Sequence, residues 1–123
     1  MKLIIAGGRD FNDLVLALSE FTDLAKELNV NLSKAHPVTE IVSGGAKGAD
    51  KIGETIASLV GIPVKQFIPD WNGLGRRAGF VRNSEMGDYA DVLLAFWDKK
   101  SSGTKQMIDY ATKKGLIVKV VYY

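Results

Sequence analysis

Cysteine is absent from this 123-residue chain, histidine occurs once, and the net charge is only +2. Without cysteine there are no disulfides, no thiolate nucleophile and no cysteine-based metal site. His36 lies in a polar segment beside Pro37 and reads as a solvated loop residue. It leaves no Ser-His-Asp triad and no histidine-rich metal cluster, so neither a metal nor a cofactor is expected. The small net charge gives no global pull toward nucleic acid or a membrane, although Arg76, Arg77 and Arg82 form a local basic group. Long apolar runs are missing too. The start, Met1 to Ala6, holds about five apolar residues, too few for a signal peptide or a membrane span. A cytoplasmic location is the resulting expectation. No repeat, low-complexity tract or linker interrupts the chain, which fits one domain over residues 1–123.

What the chain does have is alternation. Short apolar runs at Leu3–Ala6, Glu40–Ser43, Val64–Ile68, Asp91–Phe96 and Leu116–Tyr123 read as strands. Between them lie helical patterns. Leu14, Leu18, Phe21, Ala25 and Leu28 recur at steps of three and four, with Asp10 or Asn12 as the expected cap. Asp50 to Val60 carries Ile52, Ile56, Leu59 and Val60 on its apolar side and stops at Gly61. Arg76–Ala90 is a weaker helix with Val81 and Met86 inward, and Gly103–Lys114 turns Met107, Ile108 and Ala111 inward. Residues 29–39 and 69–75 read as loops. The order β-α-β-α-β-α-β-α-β predicts an α/β fold with a mainly parallel five-stranded sheet and helices on both faces. In such sheets, ligands bind beyond the carboxyl ends of the strands where the strand order reverses.

Three turns fall on that edge. Ser43-Gly44-Gly45-Ala46-Lys47-Gly48-Ala49-Asp50 joins a strand to a helix, as does Gly7-Gly8-Arg9-Asp10. Ser101-Ser102-Gly103-Thr104 opens the last helix. Backbone N–H groups at the positive end of a helix suit a phosphate or a carboxylate. The glycines have neither the G-x-G-x-x-G spacing of a dinucleotide site nor the G-x-x-x-x-G-K-[ST] of a P-loop. Each signal has a plainer reading. The glycines serve tight turns and close helix packing, Asp50 caps its helix, Arg9 pairs with Asp10, and Ser101 is an ordinary cap. Likewise Arg82 sits on a solvated face, and Trp71 and Trp97 are core or rim residues.

Taken together, several spaced motifs resemble a family. Gly7-Gly8-Arg9-Asp10-Phe11, Trp71-Asn72-Gly73-Leu74-Gly75, Ala78-Gly79, Arg82-Asn83, Met86 and Ala90-Asp91 look like the small stand-alone YAcAr-type proteins of the SLOG superfamily. Those proteins occur in bacteria and phages, mostly without an assigned activity. The resemblance runs nearly end to end and implies a Rossmann-like three-layer fold and a nucleotide or nucleotide-derived ligand, with sensing as one role.

Two branches of the superfamily sharpen the alternatives. The LOG phosphoribohydrolases cleave the N-glycosidic bond of nucleoside monophosphates. Arg82-Asn83-Ser84-Glu85-Met86 is similar to their helix motif and puts Arg82 at the place of their catalytic arginine. Their next signature, P-G-G-x-G-T-x-x-E, keeps only Gly103-Thr104 here, and Met107 replaces its glutamate. That carboxylate is what would stabilise an oxocarbenium-like transition state or activate water. The DprA-like proteins carry a G-S-R turn and an S-G-G-A-R-G-I-D motif similar to Gly7-Gly8-Arg9 and to Ser43–Asp50. They imply single-stranded DNA binding through phosphates. The leading expectation is nucleotide binding by Gly7, Gly8, Arg9, Ser43, Gly44, Gly45, Gly48, Asp50, Arg82, Asn83, Gly103 and Thr104. Trp71 and Trp97 are candidates to stack on the base. A homodimer is a further arrangement the resemblance implies.

Overall fold

A computed structural model describes residues 1–29 and 36–123, with the side chain of Arg76 outside the described set. The expected loop over 29–39 therefore lies in large part outside the described residues. The strands are β1 (Lys2–Gly7), β2 (Glu40–Ser43), β3 (Val64–Gln66), β4 (Val92–Trp97) and β5 (Ile117–Tyr122). The helices are α1 (Leu14–Leu28), α2 (Ala49–Val60), a single turn α3 (Trp71–Leu74), α4 (Ala78–Tyr89) and α5 (Ser102–Lys113). A 3₁₀ turn, Gly75–Arg77, joins α3 to α4.

All five strands are parallel, in the order β3-β2-β1-β4-β5. The chain winds outward from β1 in one direction, then returns to β4 on its other side. The reversal between β1 and β4 is the point at which open α/β sheets bind ligands. Strands β1 and β4 are near-continuous apolar runs because both faces are covered. Leu3, Ile5, Val92, Leu94 and Phe96 pack with Ala17, Phe21 and Leu24 of α1 and Ile56 and Ala57 of α2 on one face. Ile4, Ala6, Leu93 and Ala95 pack with Met86 of α4 and Met107 and Ala111 of α5 on the other.

Several local expectations change. Asp13, not Asp10 or Asn12, caps α1, accepting from the Leu16 N–H at 3.0 Å. Asp10 instead accepts from the Tyr123 hydroxyl at 2.6 Å. In α2 the buried stripe is Ala49, Gly53, Ile56 and Ala57, whereas Leu59 and Val60 are 61% and 41% exposed. The small residues let the helix approach β1 closely: a Cβ on Gly53 would stand 2.8 Å from that of Ile5. Strand β3 is a three-residue edge strand whose own side chains are exposed. That strand ends at Gln66 rather than Ile68, although the Phe67 N–H still reaches the Ser43 carbonyl at 2.8 Å. The segment after Pro69 is not irregular throughout, because Asp70 accepts from the Gly73 N–H at 2.9 Å and starts the turn α3.

Candidate functional site

The turns after β1, β2 and β4 enclose, with α3 and α4, a cleft of about 510 Å³ at the carboxyl edge of the sheet. Its lining includes Gly7, Gly8, Arg9, Asp10, Asp50, Trp71, Phe80, Arg82, Asn83, Asp98, Ser101, Ser102, Gly103, Thr104 and Met107. Nine residues selected from sequence thus meet there: Gly7, Gly8, Arg9, Asp50, Trp71, Arg82, Asn83, Gly103 and Thr104. Ser43, Gly44, Gly45, Gly48 and Trp97 do not line it.

In the glycine turn after β2, Ala46 lines the cleft while the glycines support it from behind. Gly48, at φ +79°, lies against the turn after β1, so a Cβ there would stand 2.3 Å from the Gly8 carbonyl oxygen and 2.6 Å from Arg9 backbone atoms. The Ala49 N–H donates to that same Gly8 carbonyl at 3.2 Å. Other donors of the turn are also taken. The Gly45 N–H reaches Ser43 Oγ at 3.1 Å, and the Ala46 N–H reaches Asp50 Oδ2 at 3.1 Å. Ser43 is fully buried and donates to Glu54 Oε2 at 2.6 Å. Gly44 leaves room for Arg82, whose Nη1 donates to the Gly44 carbonyl at 2.8 Å. Trp97 donates Nε1–H to the Ser101 carbonyl at 3.0 Å and so fixes the entry into α5.

Arg82 is held at a second point, since its Nε donates to Asn83 Oδ1 at 3.0 Å. Asn83, 6% exposed, spends its amide protons on the Gly103 carbonyl at 3.3 Å and Gln106 Oε1 at 2.9 Å. It is a bracket between α4 and α5, with its hydrogen-bonding capacity used inside the protein. Arg9 is exposed on the turn after β1. Among the described residues, neither Arg9 nor Arg82 is within ion-pairing distance of a carboxylate. Burial lowers the Arg82 pKa from its ordinary value, with Asp50 opposing and Arg9 adding to the shift.

Asp50 is second in α2, after an N-cap position filled by Gly48, so it is not the cap. Its carboxyl is 5% exposed and its pKa rises from 3.8 to about 6. Desolvation drives the rise and Glu54 adds to it, against the Ala46 N–H, Arg82 and Arg9. Asp98 differs: it accepts from the Lys100 and Ser101 N–H groups at 2.9 and 2.8 Å, which hold its pKa below the ordinary value.

Helix α5 begins at the cleft. Ser101 caps it, its Oγ accepting from the Thr104 N–H at 3.4 Å, and the Lys105 N–H donates to the Ser101 carbonyl. The N–H groups of Ser102 and Gly103 have no intrahelical acceptor. They supply the positive helix end that the sequence placed here. Trp71 and Phe80 are 51% and 47% exposed and carry flat apolar surface at the cleft wall. Sequence reasoning did not select Phe80; its one signal is an aromatic two residues before Arg82 in an otherwise weakly apolar helix. Among the described residues, no cluster of carboxylates and imidazole could hold a metal ion, and no helix is long and apolar enough to cross a membrane.

Comparison with known proteins gives a relationship. Residues 1–73 match the model of the YspA, cpYpsA-related SLOG family, YAcAr. That match includes the turns after β1 and β2 and ends before Arg82 and α5. The gene 61 protein of Mycobacterium phage D29 is 30% identical over 123 residues, covering 95% of this chain and 93% of that protein. No solved structure matches the chain.

Proposed function

Because the chain belongs to the YspA, cpYpsA-related SLOG family, whose membership suggests a nucleotide-related ligand, we propose that the cleft binds a nucleotide or nucleotide-derived molecule by its phosphate. The observation that carries this reading is the pair of guanidinium groups, Arg9 and Arg82, which share one cleft and lack a carboxylate partner. Asp50 offsets part of this charge without forming an ion pair, and two guanidinium groups against that one carboxylate leave the Arg82 side of the cleft net positive, which favours an anion. The open N–H groups of Ser102 and Gly103 face the same anion, and the Ser101 and Thr104 hydroxyls add polar surface. The aromatic faces of Trp71 and Phe80 suit a base.

The lining favours binding over N-glycosidic hydrolysis. Met107 is buried in the wall, at the position where the hydrolase signature has its glutamate. Asp98 is tied to its own loop. A bounded cleft with two arginines also suits one small phosphate-bearing ligand better than a single strand, which needs a cationic groove tracking successive phosphates. Thermal-shift measurements with nucleoside mono- and diphosphates and ADP-ribose test the proposal. A ligand at 100 times its dissociation constant should stabilise the fold by about 2.7 kcal/mol. Arg82→Ala should abolish that shift. The absence of a shift with every nucleotide at millimolar concentration would overturn the proposal.

A further inference from the structure

Asp50 has a feature that phosphate binding does not explain. One carboxylate oxygen, Oδ2, accepts from the Ala46 N–H. The other, Oδ1, has no hydrogen-bond partner, yet no buried polar side-chain atom among the described residues is unsatisfied. Oδ1 therefore keeps some access to solvent, and Asp50, only 5% exposed, meets solvent where it lines the cleft. A carboxylate oxygen in such a position calls for a donor from whatever enters the cleft. It also repels a phosphate, so the anionic part of the ligand must lie elsewhere.

The strand order says where. Along the carboxyl edge come the N-terminus of α5 after β4, Arg9 after β1, Asp50 after β2, and Trp71 after β3. Neighbouring strands are about 4.8 Å apart, so the turns around α5 and Asp50 are separated by about 10 Å. Read along that line, the cleft offers an anion site, then a hydrogen-bond acceptor, then an aromatic face. A nucleotide presents the same sequence as phosphate, ribose and base. The part reaching Asp50 is the sugar, whose donors are its hydroxyls. Arg82 and Asp50 line the cleft as neighbours: Nη1 and Oδ2 would lie 2.2 and 2.8 Å from a Cβ on Gly44, so a phosphate held by Arg82 must approach it from the side of Arg9 and α5.

We infer that the cleft selects ribonucleotides over their deoxy counterparts, with Asp50 as the specificity residue that accepts a hydrogen bond from a ribose hydroxyl. This rests on the nucleotide reading above and goes beyond it by naming the sugar. Calorimetric titration of the four common nucleoside 5′-monophosphates, each with its 2′-deoxy and 3′-deoxy forms, tests it. Loss of a hydrogen bond to a buried charged group should weaken at least one deoxy form by about tenfold or more. In Asp50→Asn, whose amide oxygen still accepts from Ala46, the ribo-to-deoxy ratio should collapse toward one, whatever the loss of the charge does to the affinity of both forms. Equal affinity of ribo and deoxy forms for the unmodified protein would overturn the inference and leave phosphate binding standing. So would a preference that persists in a folded Asp50→Asn. Failure of every nucleotide to bind would remove the underlying reading instead.

Discussion

Arg82 donates to the carbonyl of Gly44, 38 positions earlier in the chain, at 2.8 Å. The bond joins α4, on one face of the sheet, to the turn that leads into α2 on the other. It is possible because Gly44 has no Cβ, which would stand 2.2 Å from the same nitrogen.

Two alanine substitutions in this turn should therefore behave differently. At Gly44 the methyl meets the end of the Arg82 side chain, which can swing away, and Asp50 Oδ2 at 2.8 Å, which must give slightly. Gly44→Ala should cost about 1 kcal/mol while weakening nucleotide binding, because Arg82 leaves its position and its bond to the Gly44 carbonyl. At Gly48 the methyl meets backbone of Gly8 and Arg9, at a φ of +79° that suits glycine. Gly48→Ala should cost about 3 kcal/mol. Denaturant unfolding of both variants, with calorimetry on the first, checks the contrast.

Asp50 should make a measurable contribution to pH-dependent stability. Its folded pKa, about 6, lies above the unfolded value of 3.8. The native state then holds more protons than the unfolded chain between those values, so this group's contribution to stability declines as pH rises from about 4 to about 6. Above that window the penalty is up to about 3 kcal/mol. Glu54, Asp88 and Asp98, with lowered pKa values, act in the opposite sense, so the test is a difference. Asp50→Asn should be more stable than the parent at pH 7.5, with the advantage shrinking toward zero near pH 4. Paired urea curves across that range measure it; a difference independent of pH would contradict the assignment.

Tyr123 should position the turn that carries Arg9. Its hydroxyl donates to Asp10 at 2.6 Å and occupies the space beside Gly8, where a Cβ would meet it. Its ring stands edge-on to Phe11. Tyr123→Phe keeps the ring and frees Asp10. It should lower the melting temperature by no more than a few degrees and reduce nucleotide affinity several-fold. Tyr123→Ala should lower both further. Unchanged affinity in Tyr123→Phe would show that Arg9 needs no such support.

Much of this was legible in sequence because its causes are local. Apolar runs of four to six residues, helical spacing between them and glycine at the turns are properties of neighbouring residues. They were enough for the strand-helix alternation and for the three turns at one edge. The misplacements concern boundaries and faces. Asp13 caps α1 because the helix starts at Leu14, while Asp10 is bound by Tyr123, 113 positions away. Leu59 and Val60 are exposed because α2 turns Ala49, Gly53, Ile56 and Ala57 toward the sheet instead. The face a helix buries and the partner of Asp10 depend on segments far apart in the chain.

The sequence by itself determined which residues bear charge, which turns open helices and which family the motifs resemble, since these depend on residue type and spacing. Only the tertiary structure decided how those residues are used. It set the glycines of the Gly44–Gly48 segment behind the cleft with Ala46 on its wall, tied Asn83 between α4 and α5, and left Arg9 and Arg82 without an ion pair to a carboxylate among the described residues. It also buried Asp50 in the wall of the cleft with one oxygen unpaired. Burial, pairing and close approach are relations between segments far apart in the chain, and they exist only once the sheet has set its strands in order.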